Sequence, residues 1–294
     1  LLHEVFTYAR ALGVKTCVGT ETPLAVPATG AGRSTEELYR GIFTRIMRAY
    51  PIDYYWLWTP EAWTWEPVTE KQVQATVNDL LTAHAAATAV DPPFELATCG
   101  WVLGPQYDRS YLDEVLPPEM PMSCISRSVG FEPVDASFAE VSDRSKWAIP
   151  WLEDDPAMTI PQLWAGRMRR DARDAHAYGC DGLMGIHWRT RILQPNVSAL
   201  AEAAWDQSGW PTRIPDRSGH LGGITVDCGP EPVAGTDNDV IYQSVRYQMP
   251  GYQLVVPRGT YTVTLHLVEP HHREPGFRIM QVGVQGEVVL EHLD

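Results

Sequence analysis

Residues 53–65 read DYYWLWTPEAWTW. Tyr54 to Trp58 form an uncharged aromatic run, which stops at Thr59-Pro60. That pattern predicts a short strand of aromatic and apolar residues, cut off by a proline that cannot continue a ladder. Glu61 follows at once, with Trp63 and Trp65 close behind it. A strand that ends in a carboxylate among aromatic rings matches the C-terminal rim of a (β/α) barrel, where such folds build their sites.

The same grammar repeats on either side. VKTCVGTE (14–21) precedes a helix that starts at Ser34, with Glu37 at capping-box spacing. A second capping box, Thr69 with Gln72, opens the helix after the tryptophan-rich strand. PFELATCGWVLG (93–104) leads to a short helix at SYLDEVL (110–116), and MPMSCIS (120–126) follows. WAIPWLEDD (147–155) precedes a helix that Gly179 ends, and DGLMGIHWR (181–189) precedes NVSALAEAAW (196–205). These are six strand–loop–helix units, with strands apolar along their length as in a parallel sheet covered on both faces.

A barrel and a doubly wound sheet both fit that alternation. Polar and aromatic groups follow nearly every strand: Glu21, Glu61, Trp101, Ser126 with Arg127, Glu153 with Asp154 and Asp155, then His187, Trp188 and Arg189. A barrel gathers all its strand ends on one rim, whereas a doubly wound sheet uses a switch point with a Gly-rich phosphate loop. No such loop motif occurs, so the α/β reading is a TIM (β/α) barrel. Six units are two short of eight, and the chain opens on a helix at 2–12 stopped by Gly13. The expected barrel is therefore incomplete at its N-terminus, holding units three to eight.

Flat sugar faces stack on aromatic rings, while sugar hydroxyls need polar partners. Glycoside hydrolysis needs two carboxyl groups, one to protonate the leaving oxygen and one to attack or to activate water. Glu61 and Glu153 are the catalytic candidates, Asp154 or Asp155 being the alternatives to Glu153. The clustered Trp rings are expected to desolvate Glu61. Glu21, Trp58, Trp63, Trp65, Trp101, Asp154, Asp155, His187, Trp188 and Arg189 are the substrate-binding candidates. At least one of Trp56 and Trp58 is expected to be core. No metal or cofactor is called for. RMRRDARD (167–174) reads as a solvated helix face, and Asn196-Val-Ser is a glycosylation sequon by pattern.

Composition narrows the partners. A formal net charge of −14 argues against nucleic acid and anionic membranes, which need clustered Lys and Arg. No apolar run approaches the roughly 20 residues that span a bilayer. The start lacks the features of a signal peptide. Five Cys, widely spaced and odd in number, read as buried free thiols. All 11 Trp lie at or before Trp210, and DQSGWPTRIPDRSGHLGG (206–223) has linker composition. Domains are expected at 1–210 and 220–294, the second possibly truncated.

The first region resembles the catalytic barrels of bacterial glycoside hydrolases that degrade polysaccharides. In the large retaining clan of such barrels the acid/base Glu follows strand four and the nucleophile Glu follows strand seven. The resemblance assigns those roles to Glu61 and Glu153, although Pro60 stands where that clan carries Asn. It implies a secreted or periplasmic hydrolase acting on an oligo- or polysaccharide. In the second region GGITVDCGP, YQLVVPRGTYTVTLHLVEP and FRIMQVGVQGEVVL resemble the malectin-type carbohydrate-binding β-sandwich. There Pro270, His271 and His272 replace the aromatic pair of sugar-binding relatives. The alternative function is a non-catalytic glycan-binding scaffold built on a degenerate or incomplete barrel.

Overall fold

A computed structural model describes residues 1–25, 32–125, 134–153, 164–187, 193–208, 219–237, 239–254 and 259–294. The chain divides into two compact units; Leu1–Gly219 falls in the first, and the second begins at His220 and ends at Asp294.

The first unit opens on α1 (Leu2–Ala11), which ends before Gly13 at a φ of 77°. Then follow β1 (Cys17–Glu21), α2 (Thr35–Ala49), β2 (Tyr54–Trp58), α3 (Ala62–Trp65), α4 (Glu70–Val90), β3 (Glu95–Cys99) and α5 (Tyr111–Val115). β4 (Met122–Ile125), β5 (Lys146–Ile149), α6 (Ala165–Ala177), β6 (Gly182–Leu183) and α7 (Gln194–Trp205) complete it. Both capping boxes form. Ser34 accepts from the Glu37 N–H while Glu37 accepts from the Ser34 N–H, and Thr69 and Gln72 do the same.

The six strands make one parallel sheet in the order β1-β2-β3-β4-β5-β6. That order never reverses, so the sheet has no topological switch point. Right-handed crossovers then send the helices to one face. Burial agrees. Tyr55, Leu57, Leu96, Met122, Cys124 and Ala148 pack with Tyr39 and Phe43 of α2 and Val73, Val77 and Leu80 of α4. The alternate residues form a different cluster, in which Cys99, Ile125, Ile149 and Trp151 meet Trp56 and Trp58.

The sheet bends toward that second face. Tyr54 on β2 and Trp147 on β5 lie edge to face with centroids 4.7 Å apart. Three strand spacings in a flat sheet would separate their backbones by about 14 Å. Gly182 on β6 leaves room for the Trp147 indole, which any Cβ there would overlap.

One sequence expectation changes. RMRRDARD is not a solvated face, because Arg169 and Asp171 are buried. Met168, Asp171, Ala172 and Ala175 are spaced at helical intervals, and all four lie on the buried side of α6.

From its first residue, His220, the second unit carries β7 (Gly219–Leu221) beside β10 (Gly251–Gln253), and it contains the antiparallel pairs β8 (Ile224–Asp227) with β9 (Ser244–Tyr247) and β11 (Met280–Val284) with β12 (Glu287–Leu293). No residue described in it is buried. The alternating stretch 261–268 has no ladder; Tyr261, Val263, Leu265 and Leu267 are exposed. Alternation specifies a strand only where a partner strand and an apolar layer receive it.

Candidate functional site

The candidate site is built at the C-terminal ends of the parallel strands. Glu21 closes β1 opposite Trp58, the last residue of β2. The Thr22 N–H donates to the Trp58 carbonyl at 2.8 Å, which holds these two ends side by side. A shallow depression of about 300 Å³ lies here, lined by Gly19, Thr20, Glu21, Trp56 and Trp58. The buried Trp56 indole N–H in its wall has no acceptor among the described residues.

After β2 the chain turns at Pro60 into the single turn α3, for which Glu61 is the N-cap residue. Glu61 is exposed. The expected apolar shell therefore does not surround its carboxyl. Trp63 is 1% exposed and belongs to the core between sheet and helices. It packs there instead of forming part of the site, and Arg109 ties its carbonyl to that of Gly104 with bonds of 3.1 and 2.6 Å. Trp65, two residues on and about 200° around the helix, points the other way and is 54% exposed.

Three tryptophans run from solvent inward. Trp65 meets Trp101, which follows β3, at a centroid distance of 5.4 Å, and Trp101 meets Trp151, beyond β5, at 5.4 Å. Trp151 is 2% exposed. The file therefore grades from a wet ring to a dry one, as suits a site that strips water from one end of a ligand. Trp151 and Trp56 were not singled out by sequence as site residues. A usable signal existed for Trp151, since Ile149, Trp151 and Glu153 alternate at strand spacing.

Glu153 is fully buried just after that alternation. The segment before it is anchored to the chain that follows β6. Trp151 bridges Ile186, and the Leu152 N–H donates to the Ile186 carbonyl at 3.0 Å. His187, next in chain, is exposed. Asp154, Asp155, Trp188, Arg189, Ser126 and Arg127 lie outside the described residues. Among the described residues no group of three His, Cys, Asp or Glu side chains is arranged to hold a metal ion.

The second unit carries its own aromatic pair. His272 and Phe277 stack at 4.8 Å with an interplanar angle of 8°. Beside them Arg278 pairs with Glu269 at 2.8 Å and reaches over the Tyr247 ring. The Glu269 carboxylate also accepts the His271 and His272 N–H groups, which hold its pKa below the usual range. From the sequence alone only the His residues were visible at this place. Phe277 lies five positions farther along, so no local pattern paired it with His272.

Residues 229–294 match the malectin domain family. Among solved structures the chain is similar to the Ignisphaera aggregans GH53 catalytic domain. The identity is 12% and the TM-score 0.42, over 62% of this chain and 65% of that one. The chain thus spans just under two thirds of that structure. No curated protein matches.

Proposed function

We propose that the first unit is the catalytic (β/α) barrel of a glycoside hydrolase acting on an oligo- or polysaccharide, carried with a malectin-type carbohydrate-binding module. One observation carries this reading. A fully buried carboxylate, Glu153, follows β5 two residues after the dry end of the Trp65–Trp101–Trp151 file. Glu61 follows β2 as the N-cap of α3, three strands away in the same sheet. Counting β1 as barrel strand three makes these the ends of strands four and seven.

The chemistry follows from the two environments. Exposed Glu61 is open to a leaving group and to water, which suits a residue that gives a proton to the leaving oxygen and later takes one from water. Buried Glu153 sits where the incoming sugar displaces little water, which suits a nucleophile or the base that aims one. A carboxyl separation of about 5 Å gives retention of configuration, and one of roughly 6.5–9.5 Å gives inversion. Retention is the reading favoured here. Glu21 and Trp58, on neighbouring strand ends, supply a hydroxyl partner and a stacking face.

A panel of plant and algal polysaccharides and aryl glycosides tests the reading. Turnover that falls about 10²–10⁴-fold in both Glu61→Gln and Glu153→Gln supports it. Retention of full turnover by either variant removes that residue from the mechanism. A second reading, glycan binding without catalysis, is favoured by the exposed His272–Phe277 platform. Saturable binding with no turnover on any substrate would select it.

A further inference from the structure

Asn196 lies on α7, and its side chain is 1% exposed. Its Nδ2 donates to the Leu152 carbonyl at 2.7 Å, and its Oδ1 accepts the Trp164 N–H at 2.8 Å. Leu152 is the residue immediately before Glu153, and Trp164 is the N-cap of α6. One amide thus joins the peptide leading into Glu153 to the start of the next helix.

We propose that Asn196 is a positioning residue for Glu153, a statement that rests on Glu153 being a catalytic carboxylate. The Leu152 N–H is already held by Ile186, so its carbonyl is the remaining freedom of that residue's hydrogen bonding. Fixing the Leu152–Glu153 peptide plane fixes the Glu153 Cα and the direction of its N–Cα bond, which leaves rotation about that bond as the main freedom of the side chain's exit from the chain. A primary amide suits this task because it offers a donor and an acceptor on one rigid plane. Asp at 196 would keep the acceptor toward Trp164 but set an oxygen against the Leu152 carbonyl. Ala would leave two buried backbone groups without partners. Misplacement of a reacting group by about 1 Å can cost on the order of 10²-fold in rate.

A purely structural Asn196 would also destabilise the fold when lost, so the test must separate the two roles. The full chain is compared with Asn196→Ala, Asn196→Asp, Glu153→Gln and the Asn196→Ala/Glu153→Gln double variant. The probe is a 2,4-dinitrophenyl glycoside that the unsubstituted protein hydrolyses. Thermal melts establish which variants fold. The expected result is a fall in kcat of about 10–100-fold in both Asn196 variants, with KM little changed. That fall should vanish in the Glu153→Gln background, because a group acting through Glu153 has nothing left to position. The proposal is overturned if folded Asn196 variants keep their kcat, if they lose the same factor in both backgrounds, or if neither variant folds. Full turnover by Glu153→Gln alone would instead remove the catalytic reading of Glu153, independently of the Asn196 arms.

Discussion

The two units use apolar residues in opposite ways. In the first, Leu57, Leu80 and Phe43 are fully buried between a parallel sheet and its helices. In the second, Val263, Leu265, Leu267, Val288 and Leu290 stay in solvent, and no described residue is buried. Both regions carry the right periodicity for their fold class. Periodicity states which face a residue takes; a core exists only when a second layer covers that face. Carboxyl groups show the same contrast. Burial on α6 pushes Asp171 up to about 7, whereas the peptide N–H groups of the second unit hold Glu269 down.

The largest effect should appear in thiol chemistry. Burial pushes Cys17 and Cys99 up to about 12 and Cys180 to about 11, and raises Cys124 well above the ordinary value. At pH 8 a thiol at such a pKa is thiolate less often than a free one by about 10²–10³-fold. Native protein treated with a disulfide reagent should therefore label first at Cys228, in the second unit. Mass-mapped labelling of Cys99 or Cys124 at the same rate would break the contrast.

Paired truncations come next. Leu80→Ala removes a fully buried side chain from α4 and should cost about 2–5 kcal/mol in urea unfolding. Val263→Ala removes an exposed one and should change stability by less than about 0.5 kcal/mol. Similar losses at the two sites would mean that the second unit has a core in solution.

A smaller effect concerns pH. Asp171 binds its proton more tightly in the fold than in the unfolded chain, because burial disfavours its charge more than Arg170 and Arg167 favour it. Between pH 4 and 7 the folded state then carries a proton that the unfolded state has lost. Stability from this group is present below pH 4 and declines as pH rises toward 7. Asp171→Asn should flatten that decline and gain on the order of 1–3 kcal/mol at pH 8, with little gain at pH 4. An equal gain at both pH values would show that titration of Asp171 is not the cause.

Much of the first unit was legible because its signals are local. Ser34 with Glu37 and Thr69 with Gln72 are helix starts that need no tertiary information, and both close as written. The apolar runs ending at Glu21 and Trp58 are strands because Thr22, Thr59 and Pro60 interrupt them. Trp63 could not be placed, since α3 is a single turn and only two residues separate its core face from the exposed Trp65. Asp171 was misjudged for another reason. Charge density outweighed the spacing of Met168, Ala172 and Ala175, which already marked its face as buried. The Trp65–Trp101–Trp151 file joins residues from separate segments, so no window of sequence contains it, and the His272–Phe277 stack depends on a turn that brings two residues five positions apart face to face.

Asn196 has a consequence for how the protein can be produced. Asn196-Val197-Ser198 is an acceptor sequence for hosts that glycosylate chains as they enter the secretory route. The atom that would receive the sugar is Nδ2, which here faces the Leu152 carbonyl inside the protein. A glycan attached before folding would have no room there, so the modified chain must leave that amide outside. Material from such a host would separate into an unmodified folded fraction and a glycosylated fraction arrested before α7 docks. Occupancy at Asn196 would then report misfolding, and a bacterial host or an Asn196-sparing Ser198→Ala change would restore a single population.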